Sequence, residues 1–152
     1  MGIVFVHYKG RQSVSILVRD LTTIEKFSGR RYINLESYKR NGEPKVTPVQ
    51  SIEHEGTIYV RTDPTTWKVK RIQRNPKVRL ALADRNGKAL SDWFDGEASI
   101  LKGEENDRIL NLFKKEYGAI GYSMVGFVGR LRGEKHMTAI ISIKLHALPA
   151  IS

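Results

Sequence analysis

The chain contains no cysteine, which removes disulfides, thiolate nucleophiles and thiolate metal sites from consideration. No apolar run in it approaches the roughly 20 residues a helix needs to cross a bilayer. The opening MGIVFVHYKG has neither a basic leader nor a long apolar stretch, so no secretory signal and no membrane span are expected, and a cytoplasmic location is the simplest expectation. Four histidines, His7, His54, His136 and His146, stand at no metal-ligand spacing, and neither HExxH nor GxSxG occurs. Asp92, Asp95 and Glu97 fit a strand and turn beside Trp93-Phe94 better than a carboxylate pair. The glycine-rich stretch GAIGYSMVGFVGRLRG (118–133) lacks the Lys-Ser/Thr of a P-loop and the strand that precedes a dinucleotide fingerprint. It is expected to be a flexible connection that exposes Arg130, Arg132 and, just beyond it, Lys135. Hydrolase, zinc and thiol chemistry have no visible home, and no metal is expected.

What the chain does have is ordinary apolar content and a pronounced positive charge. Its 152 residues are 40% hydrophobic and 28% charged, enough for one domain over 1–152 with its own core. Twenty-six Lys and Arg against sixteen Asp and Glu give a net charge of +10. Such an excess favours anionic partners: phosphorylated cofactors, polyanionic tails or nucleic acid.

Period-2 alternation recurs in short blocks separated by turn residues. Residues 3–8 and 13–19 flank KGRQ and read as a hairpin; 31–38 lead to the two-residue turn signal Asn41-Gly42. Strands follow at 45–53 and 57–62 around HEG, at 78–84 before Asn86-Gly87, at 92–101 and at 136–145. Pro48 cannot donate to a ladder, so its strand needs an edge, a bulge or an open position there. Gly96 marks a bend or a close approach. Residues 104–117 are the clearest helix: acids lead, lysines come late, Ile109, Leu110, Phe113 and Tyr117 share a stripe, and Gly118 suits its C-cap. About eight short strands with two or three helices predict a mainly β fold, an antiparallel barrel with few helices.

One segment suggests chemistry. RTDPTTWKVKRIQRNPKV (61–78) reads as a strand end, an Asp63-Pro64 turn, and a helix capped by Thr65 or Thr66 that buries Val69 and Ile72 and stops before Asn75-Pro76. A helix start offers backbone N–H groups and a positive dipole end to an anion. The Thr62 and Thr66 hydroxyls and the Lys68 ammonium would converge on one phosphate.

The ordered run YINLESYKRNGEPKVTPVQSIEHEGTIYVRTDPTTWKVKRIQRNPKVRLALAD resembles the core of the pyridoxamine 5′-phosphate oxidase-like, FMN-binding split-barrel superfamily. Its TPV…YVRTDPTTWKVKRIQRNPKV wording and the later YG…LRGEK look closest to the branch that uses the deazaflavin coenzyme F420. The resemblance covers about residues 21–146 and leaves 1–20 as a possible added N-terminal hairpin. It implies a six-stranded split barrel that forms a homodimer, with the cofactor at the dimer interface. It implies further that Thr47, Pro48, Val49 and Gln50 line the cofactor ring through backbone groups. Arg61 and Thr62 would lie at the ribityl-phosphate end, Thr66, Trp67 and Lys68 would complete the phosphate site, and Trp93 would reach across the dimer. Lys70, Arg71 and the 130–135 cations would meet an oligoglutamate tail. No catalytic side chain is assigned.

Trp67-Lys68 stands where true pyridoxamine phosphate oxidases have Arg-Lys, the 91–93 stretch lacks their Gln, and their C-terminal substrate signature is not evident. Vitamin B6 oxidation is therefore not implied. The expected function is hydride transfer between coenzyme F420 or FMN and a small-molecule substrate, with the cofactor carrying the chemistry. Local wording and the +10 charge favour the deazaflavin. Two other classes stay open: a non-catalytic flavin carrier or sensor, and a nucleic-acid-binding barrel using Tyr32, Tyr38, Tyr59, Trp67, Trp93 and the basic cluster. Nucleic acid is the less favoured partner.

Overall fold

The computed structural model describes residues 3–6, 14–29, 31–131 and 138–146. Two short strands, β1 (Ile3–Val6) and β2 (Val14–Leu17), pair antiparallel; the KGRQ turn expected between them lies outside the described residues. Helix α1 (Val18–Phe27) follows without a break. The strand expected over 13–19 thus ends at Leu17. Val18, Leu21, Ile24 and Phe27 recur every third residue, a helical spacing, and that period prevails over the short alternating run.

The remaining strands close a barrel: β3 (Tyr32–Tyr38), β4 (Pro44–His54), β5 (Thr57–Thr62), β6 (Lys77–Leu82), β7 (Phe94–Ile100) and β8 (Ala139–Leu145), in the order β3-β4-β5-β8-β7-β6. Every described pairing is antiparallel. Ile33, Leu35, Val49, Ile58, Val60, Val78, Leu80, Leu82, Ile141 and Ile143 fill the interior, as the alternation predicts. At about 25 cal/mol per Å² of apolar surface removed from water, this core is the main source of stability. Phe27 of α1 closes against Phe94 edge-to-face, ring centres 5.7 Å apart.

Helix α3 (Gly103–Leu131) covers the outer face of β4, β5 and β8, where Ile109 and Phe113 meet Ile52, Tyr59 and Ile140. β5 and β8 and the Ser51–Ile52 part of β4 are consequently covered on the outside as well, while β4 from Pro44 to Pro48 stays largely exposed. Gly118 has φ +69 and ψ 172, so the helix breaks there, at the glycine expected to cap it. The backbone then turns helical again as far as Leu131, which corrects the flexible connection expected over 118–133; residues 132 and 133 lie outside the described set.

The turns explain the register. Glu55-Gly56 joins His54 to Thr57 with φ of +50 and +81, a two-residue reversal. Asn41-Gly42 does not form the expected two-residue turn. Only Gly42 has positive φ, and Lys39 N–H donates to Glu43 O at 2.9 Å, leaving a three-residue loop over 40–42. The Asn41 side chain sets this geometry by accepting the Glu43 N–H at 3.0 Å. The Asn86-Gly87 turn is built alike, with Asp84 N–H donating to Lys88 O at 3.0 Å and Gly87 at φ +87. At Gly96 a Cβ would lie 2.9 Å from Lys144 O, the close approach the sequence suggests.

Candidate functional site

β4 changes partner along its length. It pairs with β3 from Pro44 to Gln50 and with β5 from Ser51 to His54. Continuing the second register would set Gln50 opposite Arg61, but the ladder stops at Ser51–Val60. The barrel splits there. A side-chain bond from Arg61 Nη2 to Gln50 Oε1, 3.1 Å, bridges the mouth of the split. The Arg61 guanidinium is buried and lies 5.8 Å from the Phe113 ring centre, so its charge is aimed by packing as well as by the amide.

Backbone direction follows from the same ladder. Ser51 N–H donates to Arg31 O at 3.0 Å, so odd-numbered residues of β4 turn their N–H and C=O toward β3 and even-numbered ones turn away. Pro48 therefore interrupts no β3–β4 bond, which meets the expectation of an open position. Its carbonyl and that of Gln50 face the split. The side chains alternate the other way: Val49 is in the barrel core, while Pro48 and Gln50 are on the outer face. Of the four β4 residues expected at a cofactor ring, Thr47 and Val49 turn their backbone groups to β3, so only Pro48 and Gln50 offer theirs to the split.

β5 then delivers Thr62 to the start of α2 (Trp67–Arg74). Asp63 organises the turn: its carboxylate accepts the Thr65 N–H at 2.7 Å and the Thr65 hydroxyl at 2.6 Å. Thr66 occupies the N-cap position but makes no side-chain cap bond; its hydroxyl donates instead to Asp63 O at 2.9 Å. The expected hydroxyl cap is thus not made: the Thr66 hydroxyl is turned toward Asp63 O, and its oxygen accepts from none of the first-turn N–H groups. The Thr62 and Thr66 hydroxyl oxygens are 3.4 Å apart. Lys68 is partly buried beside them in sequence; burial, then the adjacent Arg71 charge, push its ammonium pKa down, with Asp63 opposing. A cation held against desolvation and a like charge is set to gain from an anion.

The two tryptophans go elsewhere. Trp67 is 72% exposed, with Lys70 Nζ 4.6 Å from its ring centre, and it lines a concave pocket with Lys39, Arg40, Lys45, Arg71 and Arg74. Trp93 lies just before β7, since the strand begins at Phe94, and its ring stands 5.3 Å from the Arg79 guanidinium. Among the aromatic residues considered for nucleic acid, Tyr59 is buried under α3 and the Tyr38 hydroxyl donates to Glu36 at 3.2 Å.

Sequence reasoning missed a polar cluster on the outer face of β3. Asn34 and Glu36 are each only 4% exposed. Glu36 holds Arg79 across the β3–β6 ladder through two bonds, one of them 3.1 Å, and this raises the Arg79 pKa. Asn34 Nδ2 donates to Gly87 O at 2.8 Å, while its Oδ1 is buried with no hydrogen-bond partner. That bond seats the 84–88 loop on Pro48 so closely that a Cβ on Gly87 would lie 2.8 Å from Pro48 Cγ. Alternation put Asn34 and Glu36 opposite Ile33 and Leu35, a position usually wet; only the non-local β3–β6 pairing shows otherwise.

A closed six-stranded antiparallel barrel split between two neighbouring strands, with helices laid on its outside, defines a split-barrel protein of mainly β class. The chain belongs to the pyridoxamine 5′-phosphate oxidase family, whose sequence profile matches residues 22–148. Solved structures share the fold. General Stress Protein 26 from Bacillus anthracis is 25% identical, TM-score 0.55, over 83% of this chain and 86% of that one. HutZ of Vibrio cholerae, a heme storage protein, is 13% identical, TM-score 0.60, over 86% and 91%. An F420 reductase is 14% identical, TM-score 0.51, over 81% and 93%. Among curated proteins none matches the chain in sequence. Among the described residues no helix is long and apolar enough to cross a membrane, and no group of three or more His, Asp or Glu could hold a metal ion.

Proposed function

We propose that the protein is a flavin- or deazaflavin-dependent oxidoreductase, with a hydride passing between the cofactor and a small organic substrate. The observation that carries this reading is the convergence of the β4–β5 split with the β5–α2 turn. It brings the carbonyls of Pro48 and Gln50, the buried Arg61 and the Thr62–Thr66 hydroxyl pair into one region. Family membership and the F420 reductase among the structural neighbours support the same class. Trp67 in place of a second basic residue argues against vitamin B6 as substrate.

The donor set fits a ring carrying a phosphate. The Lys68 ammonium supplies donors to phosphate oxygens, the Thr62 and Thr66 hydroxyls would add theirs by rotating away from Thr66 Oγ1 and Asp63 O, and the first N–H groups of α2 add a dipole of the right sign. The carbonyls of Pro48 and Gln50 would accept from a ring edge. When bound, the cofactor supplies the hydride chemistry. The protein binds it, orients it and keeps water away with the 84–88 loop, which Asn34 holds against Pro48. The resemblance points to a homodimer with the cofactor at its interface and to Trp93 as the residue reaching across. Between the cofactors, the +10 charge favours the polyanionic deazaflavin over FMN.

Absorption and fluorescence spectra of the purified protein, followed by titration with FMN and with F420, test the reading; binding of neither ends it. Lys68→Ala should weaken the cofactor that binds by about 1.5–3 kcal/mol, the size of a charge-assisted hydrogen bond. Unchanged affinity would put the phosphate elsewhere.

A further inference from the structure

The pocket beside Trp67 gathers two residues that the resemblance gives to the cofactor's phosphate and tail, Trp67 and Arg71, and adds four further cations to them. It is a cleft of about 350 Å³ between the β3–β4 loop and α2, lined by Lys39, Arg40, Lys45, Trp67, Arg71 and Arg74. No carboxylate lines it. Lys39 is paired with Glu43 at 3.0 Å, but Arg40, Lys45, Arg71 and Arg74 are in no ion pair among the described residues. Trp67, Arg71 and Arg74 are at i, i+4 and i+7 of α2, so one helix face presents all three.

Two of these cations are fixed in place. Arg71 Nε donates to Ser37 Oγ at 2.8 Å and Arg74 Nη2 to Tyr38 O at 3.2 Å. Each guanidinium is thereby anchored at one nitrogen, with the rest of its fork available to an anion. A planar fork held this way suits phosphate oxygens, which it can grip two at a time. Burial and the Arg74 charge together lower the Arg71 pKa, a sign that these like charges are held together without a neutralising partner. The helix dipole accounts for arginines in the last turn of α2. It does not account for Arg40 and Lys45 arriving from another element, nor for a tryptophan left 72% exposed with one face against Lys70.

We propose that this pocket binds a nucleoside polyphosphate, the phosphates on Arg40, Lys45, Arg71 and Arg74 and the base stacked on the open face of Trp67. The volume is at the lower end of small-ligand clefts, enough for a phosphate chain and sugar with the base lying over its rim. An oligoglutamate would use the cations and leave the indole idle. A nucleotide uses both. The site shares no ligand-contacting residue with the Thr62–Thr66–Lys68 phosphate clamp and does not depend on it.

Calorimetric titration with ATP, adenosine, tripolyphosphate and tetraglutamate at low ionic strength tests the proposal. ATP should bind one to one and more tightly than the other three, with affinity falling as salt rises. Arg40→Glu with Lys45→Glu, both exposed and outside the core, should weaken ATP about tenfold or more. Trp67→Ala should weaken ATP about tenfold while leaving tripolyphosphate unchanged, because stacking alone is lost. Tripolyphosphate or tetraglutamate binding as well as ATP would overturn the proposal, as would affinity unchanged in either variant. So would tighter binding of a single-stranded oligonucleotide, or no saturable ATP binding below about 1 mM in a protein that still takes up FMN or F420.

Discussion

The two faces of β3 are equally dry and chemically opposite. Ile33 and Leu35 are 0% and 1% exposed toward the barrel interior, and Asn34 and Glu36 are each 4% exposed on the outside. Inside, burial follows from shape: apolar side chains fill a closed space, and any chain of similar volume would serve. Outside, burial depends on named partners, Arg79 for Glu36 and the 84–88 loop for Asn34. The first face can be repacked. The second can only be satisfied or broken, since a buried polar group without its partner costs more than the bond it would have made. The outer face is also the one that borders the split, so the less forgiving chemistry lies nearest the candidate site.

Substitutions on the two faces should separate these behaviours in denaturant unfolding. The largest effect is expected inside, where Leu35→Ala should cost about 2–5 kcal/mol and Leu35→Met less than about 1.5 kcal/mol. Next comes Arg79→Met, which strands the Glu36 carboxylate. With the Arg79 side chain 39% exposed, water softens the loss to the order of 2 kcal/mol. Adding Glu36→Leu should recover most of it, a rescue with no counterpart on the inner face. Asn34→Ala should cost about 1 kcal/mol, because it removes one good bond together with an acceptor that has none. Its specific sign is faster amide exchange across residues 85–88.

The smallest effect at neutral pH belongs to Tyr117, whose single hydroxyl proton is shared between two carbonyls, Ser51 O at 2.8 Å and Arg31 O at 2.9 Å. Arg31 O already accepts from Ser51 N–H, so Tyr117→Phe should cost only about 0.5–1 kcal/mol. Burial pushes the Tyr117 pKa up to about 12 from an ordinary 10.0. The folded state therefore holds the proton more tightly than the unfolded one. The stability this contributes is fully present below pH 10 and is lost as pH rises toward about 12. Thermal melts of the wild type should fall more steeply across that window than those of Tyr117→Phe; parallel curves would refute the assignment.

Strand positions were legible in the sequence because each barrel strand has one apolar face and a turn at its end. Thr57–Thr62 fell where alternation put it, and Val69 and Ile72 face the core as their spacing implies. Other features were not legible, each for a physical reason. The helix at Val18 was hidden by the strand-like run before it. The three-residue loop at Arg40–Gly42 depends on an Asn41 side-chain bond that the Asn-Gly pair does not reveal. The split itself arises because β4 outlasts β5 and trades partners at Ser51, a fact about two pairings at once. The residues around it could be named in advance, but their separation into clamp, Trp67 pocket and Trp93–Arg79 contact could not.

The two prolines of β4 have a consequence for self-association. From Pro44 to Gln50 the strand is bonded to β3 on one side and to no strand on the other among the described residues. Such a free edge is a template for sheet growth between molecules. Positions 44, 46, 48 and 50 point their backbone at that edge, and two of them, Pro44 and Pro48, have no N–H to give. With every second donor missing, and the exposed Lys45 charge alongside, an incoming strand could form no continuous ladder. The same residues that leave the split open for a ligand therefore keep it closed to aggregation.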